Sequence, residues 1–253
     1  MARPAEAIGS PATLFVPDEF TDGIVVSTSS ITIDLNGFEI VRSGCEGAII
    51  KCTPASGTGS GIELLTPGYR GISVKNGSIT GMGNNGVLLG VQAEVTGLRV
   101  RWNRINGISV STGSTVTANT ANQNGLDGIS VGSGSTVSGN TAYLNGDDGI
   151  FANLGSTISG NTAYNNNGNG ISASAGSTVS GNTAYNNDGD GIQTSAGCTV
   201  ARNTVRLNDG YGLNLGAQSA YRENVITSNS FTVFVGSAVN AGGNVCNGSL
   251  TCP

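Results

Sequence analysis

The stretch G-I-S-A-S-A-G-S-T-V-S-G-N-T-A-Y-N-N-D-G-D, Gly170 to Asp190, runs straight into G-I-Q-T-S-A-G-C-T-V-A-R-N-T-V-R-L-N-D-G-Y, Gly191 to Tyr211. The second block is the first shifted by 21 residues, and the register extends outward in both directions. Gly-Ile or a close substitute recurs at Gly86-Val87, Gly107-Ile108, Gly128-Ile129, Gly149-Ile150, Gly170-Ile171, Gly191-Ile192 and Gly212-Leu213. Two asparagine columns keep step: Asn119, Asn140, Asn161, Asn182, Asn203, Asn224, and Asn103, Asn124, Asn145, Asn166, Asn187, Asn208, Asn229. An aliphatic column runs Val95, Val116, Val137, Ile158, Val179, Val200. A disordered chain has no reason to hold four columns in phase, and a fixed period of this length marks a stacked-repeat architecture.

Each unit lacks the 3.6-residue periodicity of a helix and breaks into short pieces separated by Gly/Asn/Asp turns. Alternation points Ile171, Ala173, Val179 and Ala184 inward, and Ser172, Thr178 and Ser180 outward. Three short strands per turn with no helix predict an all-β, single-stranded right-handed parallel β-helix. About eight coils between Gly61 and Gly236, stacked at roughly 4.8 Å, would give a rod roughly 40 Å long. Residues 1–60 read as an N-terminal cap with irregular first coils, where Val25 to Ile40 suggests paired strands. Residues 61–236 are the repeats, and residues 237–253 leave the register as a C-terminal cap, with Asn244 one short of its column.

The 253 residues include 41 glycines and 28 asparagines, with only 11% charged side chains. Glycine and asparagine tolerate tight turns with positive φ, and like charges stacked one rung apart would repel. There is no histidine, which removes Ser-His-Asp and Cys-His nucleophile systems and histidine metal sites. A formal charge of −5 argues against a nucleic-acid partner, which needs a basic stripe. No apolar run approaches the roughly 20 residues of a membrane-spanning helix. Cys45 with Cys52, and Cys246 with Cys252, are spaced for local disulfides at the two caps, in an oxidising compartment, the alternative being buried thiols. Cys198 takes the column of Ser114, Ser135, Ser156 and Ser177 and reads as a small-residue replacement. The opening M-A-R-P has no hydrophobic signal core.

The block S-S-I-T-I-D-L-N-G-F-E-I, units such as G-S-T-V-S-G-N-T-A-Y-N-N-D-G-D-G-I, and the closing G-N-V-C-N-G-S-L-T-C-P resemble secreted bacterial right-handed β-helix repeat proteins of the pectin-lyase-like superfamily. That resemblance implies an extracellular, carbohydrate-associated protein whose export signal is absent from this chain. It does not choose among polysaccharide hydrolases, lyases, epimerases and non-catalytic structural or adhesive members.

Four surface features could carry chemistry. L-D-G-I at Asp127, then G-D-D-G-I at Asp147 and Asp148, resembles the aspartate motifs of polygalacturonase-type hydrolases, in which one carboxyl protonates the leaving oxygen and another activates water. The rung where that family carries G-H-G reads G-N-G here, with Asn169. The bland reading is aspartate in turns before glycine. Second, Asp188, Asp190 and Asp209 would suit calcium, a hard cation wanting six to eight oxygens. A lyase would pair such a site with Arg202 or Arg206, because Lys51 and Lys75 are the only lysines. Third, Tyr143, Tyr164 and Tyr185 share an outward column, with Arg101 and Arg206 beyond its ends, an arrangement suited to the apolar face of a sugar and to an anionic polymer; alternatively the tyrosines only stabilise the sheet. Fourth, Thr115/Thr117, Thr136/Ser138, Thr157/Ser159, Thr178/Ser180 and Thr199/Ala201 form a hydroxyl lattice. It resembles the ice-binding surface of some β-helical antifreeze proteins, but is also ordinary β-sheet surface.

Overall fold

The computed structural model describes residues 13–18, 21–45, 52, 57–250 and 252. The opening M-A-R-P and Lys51 lie outside the described residues. Each regular coil holds three short strands, as in Ile150–Ala152, Thr157–Ser159 and Thr162–Tyr164, and no helix occurs among the described residues. Every strand pairing is parallel and advances by one coil: Ile150 opposite Ile171, Thr157 opposite Thr178, Thr162 opposite Thr183. The Gly-Ile strands make a ten-stranded sheet. The Thr-Val and Thr-Ala strands form two further faces, joined into one sheet by the long strands Ser73–Thr80 and Glu94–Arg101. Ten stacked strands in the Gly-Ile sheet give nine steps along the axis, close to the eight coils that the sequence predicts.

The interior is narrow and filled by one ladder per face. Ile108, Ile129, Ile150, Ile171 and Ile192 are fully buried, as are the Val116-to-Val200 column and Ala121, Ala142, Ala163 and Ala184. Burying each isoleucine contributes about 2–3 kcal/mol. Because alternation sends every second side chain inward, each three-residue strand buries its ends on the Gly-Ile face and its middle residue on the other two.

The corners are held by buried polar ladders. Asn140 makes four hydrogen bonds: its Oδ1 accepts from Asn119 N at 2.9 Å and Asn119 Nδ2 at 3.0 Å, and its Nδ2 donates to Val116 O at 2.9 Å and Asn161 Oδ1 at 3.0 Å. That satisfies the full capacity of an amide. The second asparagine column repeats the pattern, as in Asn145 to Asn166 at 2.9 Å. A serine column does the same for one backbone amide per coil, Ser114 N donating to Ser135 Oγ at 3.1 Å. The residue before each asparagine is left-handed: φ is +65° at Gly139 and Gly160, but also +56° at Leu144 and +55° at Trp102. The ladder bonds hold even branched and aromatic side chains in that strained region. The Gly-Ile glycines serve close approach instead. A Cβ on Gly149 would sit 2.7 Å from Gly170 O and 2.7 Å from Asn166 Nδ2.

Two features depart from the expectation. The strands within Val25 to Ile40 do not pair with each other; Ile24–Val26 pairs with Ile62–Leu64, and Thr32–Asp34 with Ser73–Lys75, because sequential strands lie on different faces of a coil. Thr13–Val16 pairs with Glu39–Arg42, an irregular coil before Gly61 of the kind the sequence suggests. The segment beyond residue 236 also stays in the stack: Val239 pairs with Ala220 and Val245 with Val225. Asn244 joins the asparagine column despite a 20-residue step, accepting from Asn224 N at 2.9 Å, because the last turn is shortened by one residue. Cys45–Cys52 and Cys246–Cys252 are disulfide-bonded, with Cα atoms 5.4 Å apart in each, and Cys198 is free and buried. Cys198 N donates to Ser219 Oγ at 3.1 Å, the serine-ladder bond, and burial pushes the thiol pKa up.

Candidate functional site

The turn from the Thr-Ala face to the Gly-Ile face carries the aspartates. Asn85, Asn106, Asp127, Asp148, Asn169 and Asp190 form one column, in which each side chain accepts the backbone amide of the next coil. Asn106 N donates to Asn85 Oδ1 at 3.1 Å, Asp127 N to Asn106 Oδ1 at 3.0 Å, and Asn169 N to Asp148 Oδ1 at 2.6 Å. Asp190 N donates to Asn169 Oδ1 at 2.8 Å, and Tyr211 N to Asp190 Oδ1 at 2.6 Å. Asp127 takes the Asp148 amide in the same way. The aspartates therefore occupy a structural ladder position that asparagine fills equally well.

Their electrostatics are nonetheless unusual. Burial, then the charges of Asp148 and Asp147, push the Asp127 pKa up to about 7. Burial first, with Asp147 adding repulsion against hydrogen bonds from Asn169 and Ser172, pushes Asp148 up to about 6. Asp147 is exposed and sits beside Asp148; a Cβ on Gly168 would lie 2.7 Å from an oxygen of each. Two carboxyls one rung apart, one half-protonated near neutral pH, are equipped for proton transfer.

Asp188, Asp190 and Asp209 are not brought to a common point. Asp188 and Asp209 are exposed in a neighbouring column, and both Asp190 oxygens are engaged, one by Tyr211 N and the other by Asn214 Nδ2 at 2.7 Å. No group of three or more acidic or cysteine side chains placed to hold a metal occurs among the described residues. The set does not fit calcium, which needs several converging oxygens. Arg202 sits at a different corner, its Nε donating to Glu223 Oε2 at 2.6 Å, so it does not meet these aspartates.

Tyr143, Tyr164 and Tyr185 stand in register on the Thr-Ala face. Their rings stack with centroids 4.9 Å apart and interplanar angles of 5° and 2°. Stacking covers the ring faces that the sequence reading offered to a sugar and leaves ring edges and hydroxyls outward. The Arg206 guanidinium lies over Tyr185 at 4.7 Å. At the other end the column continues through Asn122 to Arg101. Thr136, Ser138, Thr141 and Tyr143, with their equivalents in the next two coils, make the outward positions of both faces a field of hydroxyls without a charge. The outermost threonines, Thr115 to Thr199, are exposed and aligned, and Thr117 Oγ1 donates to Thr96 Oγ1 at 3.1 Å.

Two grooves flank the N-terminal end of the tyrosine column. One of about 510 Å³ includes Arg99, Arg101 and Tyr143 in its walls, the other, of about 460 Å³, Arg104, Leu144 and Asn167, and they share Trp102 and Gln123. Sequence reasoning missed Trp102; the signal was a lone tryptophan inside the arginine group R-V-R-W-N-R, Arg99 to Arg104.

Comparison with known proteins agrees with this architecture. Residues 88–231 match the family model described as right handed beta helix region. Among solved structures, the mannuronan C-5 epimerase A-module of Azotobacter vinelandii is 16% identical, with 90% of this chain and 72% of that chain covered and a TM-score of 0.60. A pectate lyase is 20% identical over 92% of this chain and 69% of its own, TM-score 0.60. A periplasmic alginate epimerase is 15% identical over 92% and 77%, TM-score 0.55. No curated protein matches by sequence. No helix among the described residues is long and apolar enough to cross a membrane.

Proposed function

The chain belongs to the right-handed β-helix family, and on that premise we propose that it is an extracellular carbohydrate-associated protein that binds an acidic polysaccharide along its tyrosine column. The observation that carries this reading is the uncharged hydroxyl field around Tyr143, Tyr164 and Tyr185, with Arg206 at one end and Arg101 at the other. Hydroxyl rims repeating every 4.9 Å supply hydrogen bonds along an extended polymer, and the terminal guanidiniums attract its carboxylates. The acidic column lies around the corner from this face, whose own outward side chains between the two arginines carry no charge. Support also comes from structural neighbours named for mannuronan, pectate and alginate, all of them acidic polymers.

A second reading, hydrolysis, is favoured by the raised carboxyls. Asp127, protonated in part near pH 7, would give its proton to a leaving oxygen, and Asp148, the more readily ionised, would activate water. One experiment separates the readings: titrate the protein against pectate, alginate and a neutral xylan, following reducing ends and unsaturated products as well as affinity. Binding to the acidic polymers without new reducing ends supports the binder. New reducing ends lost in Asp127→Asn, with the fold intact, support the hydrolase. Equal affinity for xylan, or affinity for none of the three, refutes the acidic-polysaccharide reading.

A further inference from the structure

We infer that the groove at the N-terminal end of the tyrosine column is a preorganised subsite for one sugar carboxylate, with Arg101 and Arg99 as its ligands and Trp102 as its floor. The inference rests on the polysaccharide reading above and locates where an acidic chain is anchored on this molecule.

Arg101 is held on three sides. Its guanidinium lies over the Trp102 ring at 4.6 Å, its Nε donates to Thr80 Oγ1 at 3.3 Å, and Nη2 stands 3.6 Å from Glu39 Oε1. Thr80 is fully buried and donates its own proton to Glu39 at 2.8 Å, which fixes the carboxylate that steers Arg101. A guanidinium has five N–H donors. Those contacts engage Nε and Nη2, and Arg101 lines the groove, so its remaining N–H donors are available to an acceptor that enters it. An immobilised planar fork loses little entropy when it binds a carboxylate.

Among the described residues, the walls of the two adjoining grooves carry three arginines, Arg99, Arg101 and Arg104, against the single carboxylate of Glu39. In a chain of net charge −5 this is a local excess of positive charge. Arg99 is exposed and makes no ion pair among the described residues, so it is free to complete a two-arginine clamp. Arg104 is partly committed, donating to Gly57 O at 3.4 Å.

Trp102 supplies an independent observation. It is 6% exposed, and among the described residues its indole N–H has no hydrogen-bond partner although it lines both grooves. A buried unsatisfied donor costs about 1–3 kcal/mol, so a groove-lining indole N–H without an acceptor invites a ligand oxygen. Beside it, Asn122 donates its Nδ2 to Gln123 Oε1 at 3.0 Å, closing the floor between Arg101 and Tyr143.

Trp102 is the single tryptophan of the chain, so its emission reports on this groove directly. The test is a fluorescence titration with trigalacturonate, trimannuronate and a neutral galactose trisaccharide at low and high salt, in parallel with polymer binding. A saturable change with either acidic trimer, absent with the neutral one and weakened by salt, is the expected result. Arg101→Gln and, separately, the exposed Arg99→Ala should each weaken it about tenfold or more, with Arg222→Ala as the control. Pectate or alginate binding that leaves Trp102 emission and both arginine variants unchanged would overturn the subsite while sparing the polysaccharide reading. Loss of all polymer binding in the wild-type protein would remove both, and an equal response to the neutral sugar would overturn the carboxylate assignment.

Discussion

Replacing Asp127 by asparagine should stabilise the protein above neutral pH and leave it nearly unchanged in acid. The folded protein raises this carboxyl from 3.8 to about 7, so folding favours the protonated form. Between those values the folded state holds a proton that the unfolded chain has released, and stability falls as pH rises; above pH 7 the full penalty applies. Three units at about 1.36 kcal/mol each set a ceiling of about 4 kcal/mol. Partial solvent access and repulsion shared with Asp148 reduce the expected gain to roughly 2 kcal/mol. For a chain of this length that is roughly 4–8 °C in Tm. Asparagine keeps the ladder, since Asn106 and Asn169 in the same column already accept the next coil's amide at 3.0 and 2.8 Å. The assay is thermal unfolding by circular dichroism of wild type and Asp127→Asn at pH 4 and pH 8. A gain of equal size at both pH values, or none at pH 8, would refute the reasoning.

Asn161→Ala removes four ladder bonds, leaving the buried Asn140 N–H without its acceptor and Val137 O without its donor, and should cost about 3 kcal/mol or more by urea denaturation. Gly149→Ala should destabilise comparably, because its methyl meets Gly170 O at 2.7 Å, whereas Gly160→Asn should be tolerated, its left-handed turn being open to solvent. Because the tyrosine rings cover one another's faces, Tyr164→Phe should weaken polysaccharide affinity severalfold by isothermal titration, nearly as much as Tyr164→Ala; full retention in the phenylalanine variant would show that hydroxyls are not the contact. Cys198→Ser should leave thermal stability within about 0.5 kcal/mol of wild type, as serine is the regular occupant of that ladder.

The regular coils were legible because a 21-residue period aligns chemically identical residues, and the fold needs only that alignment. Inward Ile171, Val179 and Ala184 followed from alternation and column identity alone. The ends were harder. Thr13–Val16 and Val245–Cys246 stack by backbone register, while their coils vary in length, so no side-chain period betrays them. At the candidate site, the sequence placed Tyr143, Tyr164 and Tyr185 in one row but could not tell a stack from a splayed platform; that depends on a rotamer common to all three. Nor could it show that Asp190 is saturated by Tyr211 and Asn214, since those partners come from the following coil. Trp102 was invisible because it falls at a turn position filled by glutamine, leucine and asparagine in the coils that follow, with no column of its own kind.

The asparagine columns also give the rod a direction. Each backbone amide demands an oxygen, which fixes the orientation of every side-chain amide, so along the file each Nδ2 donates to the side-chain oxygen of the next coil toward the C-terminus, and its second proton goes to a backbone carbonyl of the coil before. Such a file of aligned dipoles must be closed unequally: a backbone donor suffices at its head, where Leu98 N meets Asn119, but its tail requires an acceptor. Asn244 finds one in Asn240 Oδ1 at 2.8 Å. The shortened final turn is therefore a terminator of defined polarity, and transplanting it to the opposite end of a β-helix would present oxygen where hydrogen is needed.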